Sequence, residues 1–133
     1  MGLKHSVLIV DDDPDDREAI RDAFFENNRQ LDYVFFTGAD DLMKYLAKAQ
    51  AGSYPAVILL DLNMPGMDAK DALKQVKSSA ELKHIPVVVL TTSSSQHDKQ
   101  TSYSLGANCF ITKPDTFNKL VRITDSIARL WVA

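Results

Sequence analysis

Four short apolar runs constrain this chain more than any other feature: Val7-Leu8-Ile9-Val10, Ala56-Val57-Ile58-Leu59-Leu60, Pro86-Val87-Val88-Val89-Leu90 and Cys109-Phe110-Ile111. None alternates with polar residues, so each reads as a strand covered on both faces, the signature of a parallel sheet. A weaker run, Tyr33-Val34-Phe35-Phe36, falls between the first two. Parallel strands need long crossovers, and the intervals hold amphipathic segments of helical length. The first covers about residues 15–27, with Ala19, Ile20, Ala23 and Phe24 on one face. The second, about residues 39–51, groups Leu42, Met43, Leu46 and Ala49, and Gly52 supplies a stop signal. A third spans about residues 70–78, its inner edge marked by Leu73, Val76 and Lys77. A fourth spans about residues 96–105 and ends at Gly106. The last, about residues 116–132, carries Phe117, Leu120, Val121, Thr124, Ile127, Ala128 and Trp131, and Ile123 and Leu130 widen its apolar stripe beyond what docking on a sheet requires. Five βα units in succession predict an α/β fold, a doubly wound parallel sheet with helices on both faces.

Length and composition limit what such a fold can be. The 133 residues suit one domain, and no output domain is expected. No apolar run approaches the ~20 residues of a membrane span, and no signal-peptide pattern precedes the first strand, so a cytoplasmic protein is expected. Gly2 with Ser6 alone does not make a myristoylation signal. The single Cys109 reads as a small core residue. His5, His84 and His97 are isolated and read as solvated. The net charge is -3 with Lys and Arg dispersed, which argues against direct nucleic-acid binding. The acidic residues are lopsided: 15 Asp against 3 Glu, five of them at Asp11, Asp12, Asp13, Asp15 and Asp16. Asp is a poor helix former, so the excess points to carboxylates serving loops, caps or a site.

In open α/β sheets the ligand site lies beyond the carboxyl ends of the strands. There the sequence places Asp11-Asp12-Asp13, Asp61, Thr91-Thr92 and Lys113-Pro114. Three convergent carboxylates repel at ~4 kcal/mol per pair at an effective dielectric of 20. A hard divalent ion, Mg²⁺ above all, together with Lys113 balances that charge. Asp13 to Asp16 read as caps of the first helix, where negative charge suits the macrodipole, with Asp68 in the same role further on. Asp11, Asp13, Asp15 and Asp22 mimic calcium-loop spacing, but Asp16 stands where that loop needs Gly, and Pro14 contradicts its geometry.

With these residues in place the chain resembles the CheY-like receiver domains of two-component response regulators. The resemblance rests on Asp11-Asp12 after Leu8-Ile9-Val10, on Leu59-Leu60-Asp61-Leu62-Asn63-Met64-Pro65-Gly66-Met67-Asp68, on Thr91 after the fourth strand, and on Gly106-Ala107-Asn108 leading to Lys113-Pro114. It implies a flavodoxin-like strand order of 2-1-3-4-5. It further implies that Asp61 accepts a phosphoryl group from a phosphohistidine of a sensor histidine kinase. Asp12 and Asp61 would ligate Mg²⁺ directly, Asp11 through water, and the main-chain carbonyl of Asn63 would complete the protein's share. Lys113 would clamp the phosphate, aimed by a cis peptide to Pro114. Thr91 would be the switch hydroxyl and Phe110 the switch aromatic, with Asn63, Thr92 and Ser93 tuning self-dephosphorylation to a slow-to-moderate rate. The responsive face would be the fourth helix, fifth strand and fifth helix. Such a protein is a phosphoacceptor that promotes its own phosphorylation and dephosphorylation rather than an enzyme. Ala69 departs from the family, where Gly usually follows the Met-Asp pair.

The rival readings fare worse. A haloacid-dehalogenase-type phosphatase would need a second, acid–base Asp at position 63, which is Asn, and room for a cap domain. A flavodoxin-like electron carrier would need a phosphate loop rich in Ser, Thr and Gly after the first strand, where this chain is acidic. A degenerate receiver serving only as an interaction module would not need Asp12, Asp61, Thr91 and Lys113. The widened last-helix stripe suggests output through a downstream effector or a homodimer. The finer sequence pattern is similar to response regulators paired with bacterial phytochrome-type kinases.

Overall fold

The computed structural model describes residues 6–27 and 31–132, so Gly2 and His5 lie outside the described residues. Strands and helices alternate along the chain: β1 (Ser6–Val10), α1 (Pro14–Glu26), β2 (Asp32–Phe36), α2 (Ala39–Lys48), β3 (Val57–Leu60), α3 (Ala69–Ser78), β4 (Val87–Thr91), α4 (Gln96–Ser104), β5 (Cys109–Thr112) and α5 (Phe117–Trp131). The strands form one parallel sheet in the order β2-β1-β3-β4-β5. The doubly wound fold and its strand order are thus as expected.

The apolar runs lack alternation because the central strands are buried on both sides. Val7, Ile9, Val57, Leu59, Val88 and Leu90 face one core with Ile20, Phe24 and Ile127. Leu8, Val10, Ile58, Leu60, Val87 and Val89 face the other with Leu42, Leu46, Leu73 and Val76. Burying each such side chain contributes about 1.5–3 kcal/mol before chain entropy is counted. The two edge strands differ. β2 is only partly buried, and β5 is half-buried or exposed throughout. Cys109 accordingly packs at the margin of the first core rather than inside it. His84 and His97 are exposed, as isolated histidines should be.

Local chemistry sets most helix ends. Asp13, Asp68, Ser95 and Thr116 cap α1, α3, α4 and α5 by accepting backbone N–H bonds in the first turn. Gly106 takes φ 104° and closes α4, as the sequence predicts. Gly52 does not close α2. The helix leaves its path at Ala49, whose ψ of 143° is extended, and Gly52 sits in a separate 3₁₀ turn, Ala51–Ser53, in which Ser53 N–H donates to the Gln50 carbonyl at 2.8 Å. After β3 the positive φ falls on Gly66 (87°), which leaves Ala69 free to open α3 in helical conformation, buried against the second core.

Candidate functional site

Three backbone bonds carry the sheet ladder one step beyond the strands and fix the residues that matter. Asp11 N–H donates to the Phe36 carbonyl at 3.0 Å, Asp61 N–H to Val10 at 3.0 Å, and Lys113 N–H to Thr91 at 2.7 Å. Asp11 and Asp61 therefore emerge from neighbouring strands, β1 and β3, and Lys113 from β5 beyond β4, all at one edge of the same sheet. Their side chains meet: Lys113 Nζ donates to Asp11 Oδ2 at 2.7 Å and to Asp61 Oδ2 at 3.1 Å. The other oxygens are engaged too, Asp11 Oδ1 by Asp13 N–H at 3.0 Å and Asp61 Oδ1 by Asn63 N–H at 3.1 Å. Each carboxylate closes a short turn on its own loop while facing the ammonium.

Burial gives this cluster its force, because Asp11 and Asp61 are 2% and 5% exposed. Burial pushes the Asp11 carboxyl above its ordinary range, and the charge of Asp61 adds to that, against the bonds from Lys113 and the Asp13 N–H. Burial alone would lower the Lys113 ammonium, but its bonds to Asp11 and Asp16 and the charges of Asp11 and Asp61 outweigh this and hold it above the usual lysine value. Asp12 is exposed, and one oxygen each from Asp11, Asp12 and Asp61 lie within 4.8 Å of one another. Three hard carboxylate oxygens this close together, beside the Lys113 ammonium, fit a divalent cation such as Mg²⁺.

One partner of Lys113 escapes a sequence reading. Asp16 accepts from Nζ at 2.7 Å, as short as the Asp11 bond. Only Asp13 caps α1, accepting from Asp15 and Asp16 N–H; Asp16, in the third helical position, turns its carboxylate to the lysine instead. The only available signal was charge arithmetic, four acidic side chains near one cation. The expected cis peptide at Lys113-Pro114 is also corrected, since no peptide bond among the described residues is cis. The ladder bond to Thr91 and three carboxylates orient Lys113 without it.

The remaining predicted residues surround the cluster. Thr91 is fully buried at the end of β4, and its Oγ1 accepts from Asn63 Nδ2 and from Ser93 N–H, both at 3.4 Å. Asn63 and Thr92 are exposed, and Asn63 Nδ2 donates to Thr92 Oγ1 at 2.9 Å, tying the loop after β3 to the loop after β4. Ser93 is half-buried, with Oγ donating to Asp98 Oδ2 at 2.6 Å. Phe110 lies apart from the cluster, half-buried against the second core, and its N–H donates to Tyr103 Oη at 3.0 Å.

A five-stranded 2-1-3-4-5 parallel sheet with carboxylates, hydroxyl and ammonium at its carboxyl edge defines a CheY-like receiver. Comparison with known proteins agrees, for the response regulator receiver domain family model matches residues 7–125, and the chain belongs to that family. It is 33% identical over 131 residues to response regulator Rcp1 of Synechocystis sp., covering 95% of this chain and 88% of that protein. Among solved structures, the phosphorylated cyanobacterial phytochrome response regulator RcpA superposes with a TM-score of 0.88 at 34% identity, covering 98% of this chain and 95% of that one. The Mn²⁺-bound form of Rcp1 gives 0.84 at 30% identity, covering 96% and 94%. Receiver domains of this family act in two-component signalling and bind Mg²⁺ through acidic residues, with which the Asp11, Asp12 and Asp61 cluster is compatible. No described helix is long and apolar enough to cross a membrane.

Proposed function

We propose that Asp61 is the phosphoryl acceptor of a cytoplasmic response regulator, fed by a sensor histidine kinase. The observation that carries this reading is the Lys113 ammonium bridging Asp61 and Asp11 in a nearly dry cluster beside the buried Thr91 hydroxyl. An Asp61 carboxylate oxygen attacks phosphorus in line, forming the acyl phosphate P–O bond as the donor's P–N bond to histidine breaks. Asp61 Oδ2 faces an ammonium, and Asp61 Oδ1 is held by the Asn63 N–H, so the nucleophile's orientation is set before the donor arrives. Asp12, Asp61 and the Asn63 carbonyl would hold Mg²⁺ directly, with Asp11 acting through water, and the bound ion would supply neutralisation of charge on the transferring oxygens.

Once Asp61 carries a phosphoryl group, Lys113 pairs with its oxygens and Thr91 moves to donate to one of them. Phe110 follows inward as the switch aromatic, without a hydroxyl to bond. The free energy of these contacts reshapes the face of α4, β5 and α5 for an effector or a second copy of the chain. The half-buried groove between β5 and α5, lined by Ile111, Ile123, Leu130 and Trp131, supports that placement. Asn63, Thr92 and Ser93 tune hydrolysis, and we expect a slow-to-moderate return. Acetyl phosphate with Mg²⁺ tests the assignment by intact mass. Wild type gains one phosphoryl group and Asp61→Asn gains none; an adduct on both would move the acceptor, and none on wild type would leave a degenerate receiver that serves only as an interaction module.

A further inference from the structure

The loop between β4 and α4 is tied down by Lys70, Asp98, Ser95 and Thr112, none of which the phosphoryl reading uses. Ser93 is its node. Its N–H reaches Thr91 Oγ1 at 3.4 Å, its carbonyl accepts from Thr112 Oγ1 at 2.9 Å, and its own hydroxyl donates to Asp98 Oδ2 at 2.6 Å. Ser95 caps α4 by accepting from Asp98 N–H at 3.2 Å, while Ser95 N–H donates back to Ser93 Oγ at 3.2 Å. The other Asp98 oxygen receives Lys70 Nζ at 2.7 Å, from the first turn of α3. Both side chains of that ion pair are about three-quarters buried, at 27% and 24% exposure. Those bonds hold the Asp98 carboxyl below its ordinary value.

We infer that Lys70 and Asp98 are positioning residues forming a latch, which holds Ser93, and through it Thr91, in the arrangement seen here and so sets how readily Thr91 can leave it. A shift of Thr91 further toward Asp61 that keeps the Ser93 N–H on its hydroxyl draws the Ser93 backbone after it. That movement lengthens or breaks the Ser93–Asp98 bond or drags Asp98 from Lys70. The latch thus weights one of two loop arrangements, and a ligand or covalent group favouring the other must overcome it. Charge complementarity across α3 and α4 makes the device local. Neither residue touches Asp61, Lys113 or the acidic cluster, so loosening the latch leaves the phosphoryl chemistry in place. The inference rests on the switch role given to Thr91 above.

Its test uses wild type, Asp98→Asn, Lys70→Met and Lys70→Arg. Labelling by subsaturating acetyl phosphate with Mg²⁺ is followed by intact mass, and amide exchange is followed at positions 92–98. Removing a partly buried ion pair should speed labelling of Asp98→Asn and Lys70→Met about two- to five-fold. Exchange at Ser93 and Asp98 should quicken, and Lys70→Arg, which keeps the pair, should stay near wild type on both readouts. Equal or slower labelling in the two loosened variants, despite faster exchange, would show an anchor without influence on the switch and overturn the latch. Unchanged exchange would overturn it as well. A wild type that takes no phosphoryl group would sink the phosphoacceptor reading instead, and exchange would then decide the latch by itself.

Discussion

Two lysines stand at opposite ends of the same sheet, and their surroundings separate the site from the scaffold. Lys113, past β5, directs its ammonium at three carboxylates, those of Asp11, Asp16 and Asp61. Lys77, at the end of α3, directs its ammonium at three neutral oxygens: the carbonyls of Lys83 and Ile85, at 3.2 and 2.7 Å, and Asn108 Oδ1 at 2.9 Å. Asn108 Oδ1 also accepts Val87 N–H at 2.9 Å, so Lys77 pins the entries of β4 and β5 together. The partners decide the titration of each. Burial lowers Lys77 from the usual lysine value, whereas carboxylates reverse the same burial cost at Lys113. Carboxylates gather around the lysine at the carboxyl edge of the sheet, and neutral acceptors suffice where the task is to hold loops.

The contrast is tested most severely at Lys113. Replacing it with Met leaves Asp11 and Asp61 buried without their cation, a change that costs about 3–5 kcal/mol when a buried pair is broken on one side. Urea denaturation should show a loss of that order, and added Mg²⁺ should restore more stability to Lys113→Met than it adds to wild type. A loss under about 1 kcal/mol would mean that the carboxylates do not depend on the ammonium.

At the other end a large effect should come from Gly106. Its φ of 104° disfavours any side chain, and a Cβ there would stand 2.9 Å from Lys77 Cγ. Gly106→Ala should destabilise by about 2 kcal/mol, the sum of backbone strain and displacement of the lysine stem. In a Lys77→Ala background the same substitution should cost less, because the stem is gone and only the strain remains; additive losses would show that the contact relaxes freely. Lys77→Met alone should cost about 1–3 kcal/mol, since the Ile85 carbonyl loses its donor in a part-buried place, and should leave acetyl phosphate labelling unchanged. A labelling defect would erase the proposed division of labour between the two ends.

How much of this the sequence disclosed follows from the range of the interactions. The central strands are legible because double-sided burial forbids polar residues at every position of 57–60 and 87–90. The exposed-side residues of β2 blur its signal for the same reason. Asp11, Asp61, Thr91 and Lys113 could be placed at one edge because parallel topology sends every strand's carboxyl end the same way. Asp16, Lys70, Asp98 and Lys77 could not be assigned their roles. Each depends on how two helices or loops distant in sequence lie side by side, and a charged residue on an amphipathic helix looks the same whether it meets water or a partner. Gly52 misleads in the opposite sense, because a helix can end on an extended Ala49 before its glycine is reached.

Lys70 offers an intermediate case between the two lysines, with one carboxylate partner and partial exposure, and its pair with Asp98 gives the mildest prediction. The Asp98 carboxyl is held below its ordinary 3.8 by the bonds from Lys70 and Ser93, aided by the charges of Lys70 and His97. A depressed folded-state value means the unfolded chain binds protons more readily as pH falls. The pair's contribution is therefore fully present above about pH 5 and fades as pH drops below 3.8 toward the folded value. Wild type should exceed Asp98→Asn in stability by up to about 1 kcal/mol at neutral pH, a margin reduced by salt because the pair is not fully buried. The margin should narrow on acidification between pH 5 and 3 in urea titrations. Lys77 should show a slope of the same sign in a different window, near the lysine range instead of the carboxylate range. Its lowered value means that folding disfavours its proton, so the stability of wild type relative to Lys77→Met should rise as pH climbs toward 10.5. A wild type that loses stability relative to Lys77→Met as pH approaches 10.5 would contradict the assignment of neutral partners to Lys77.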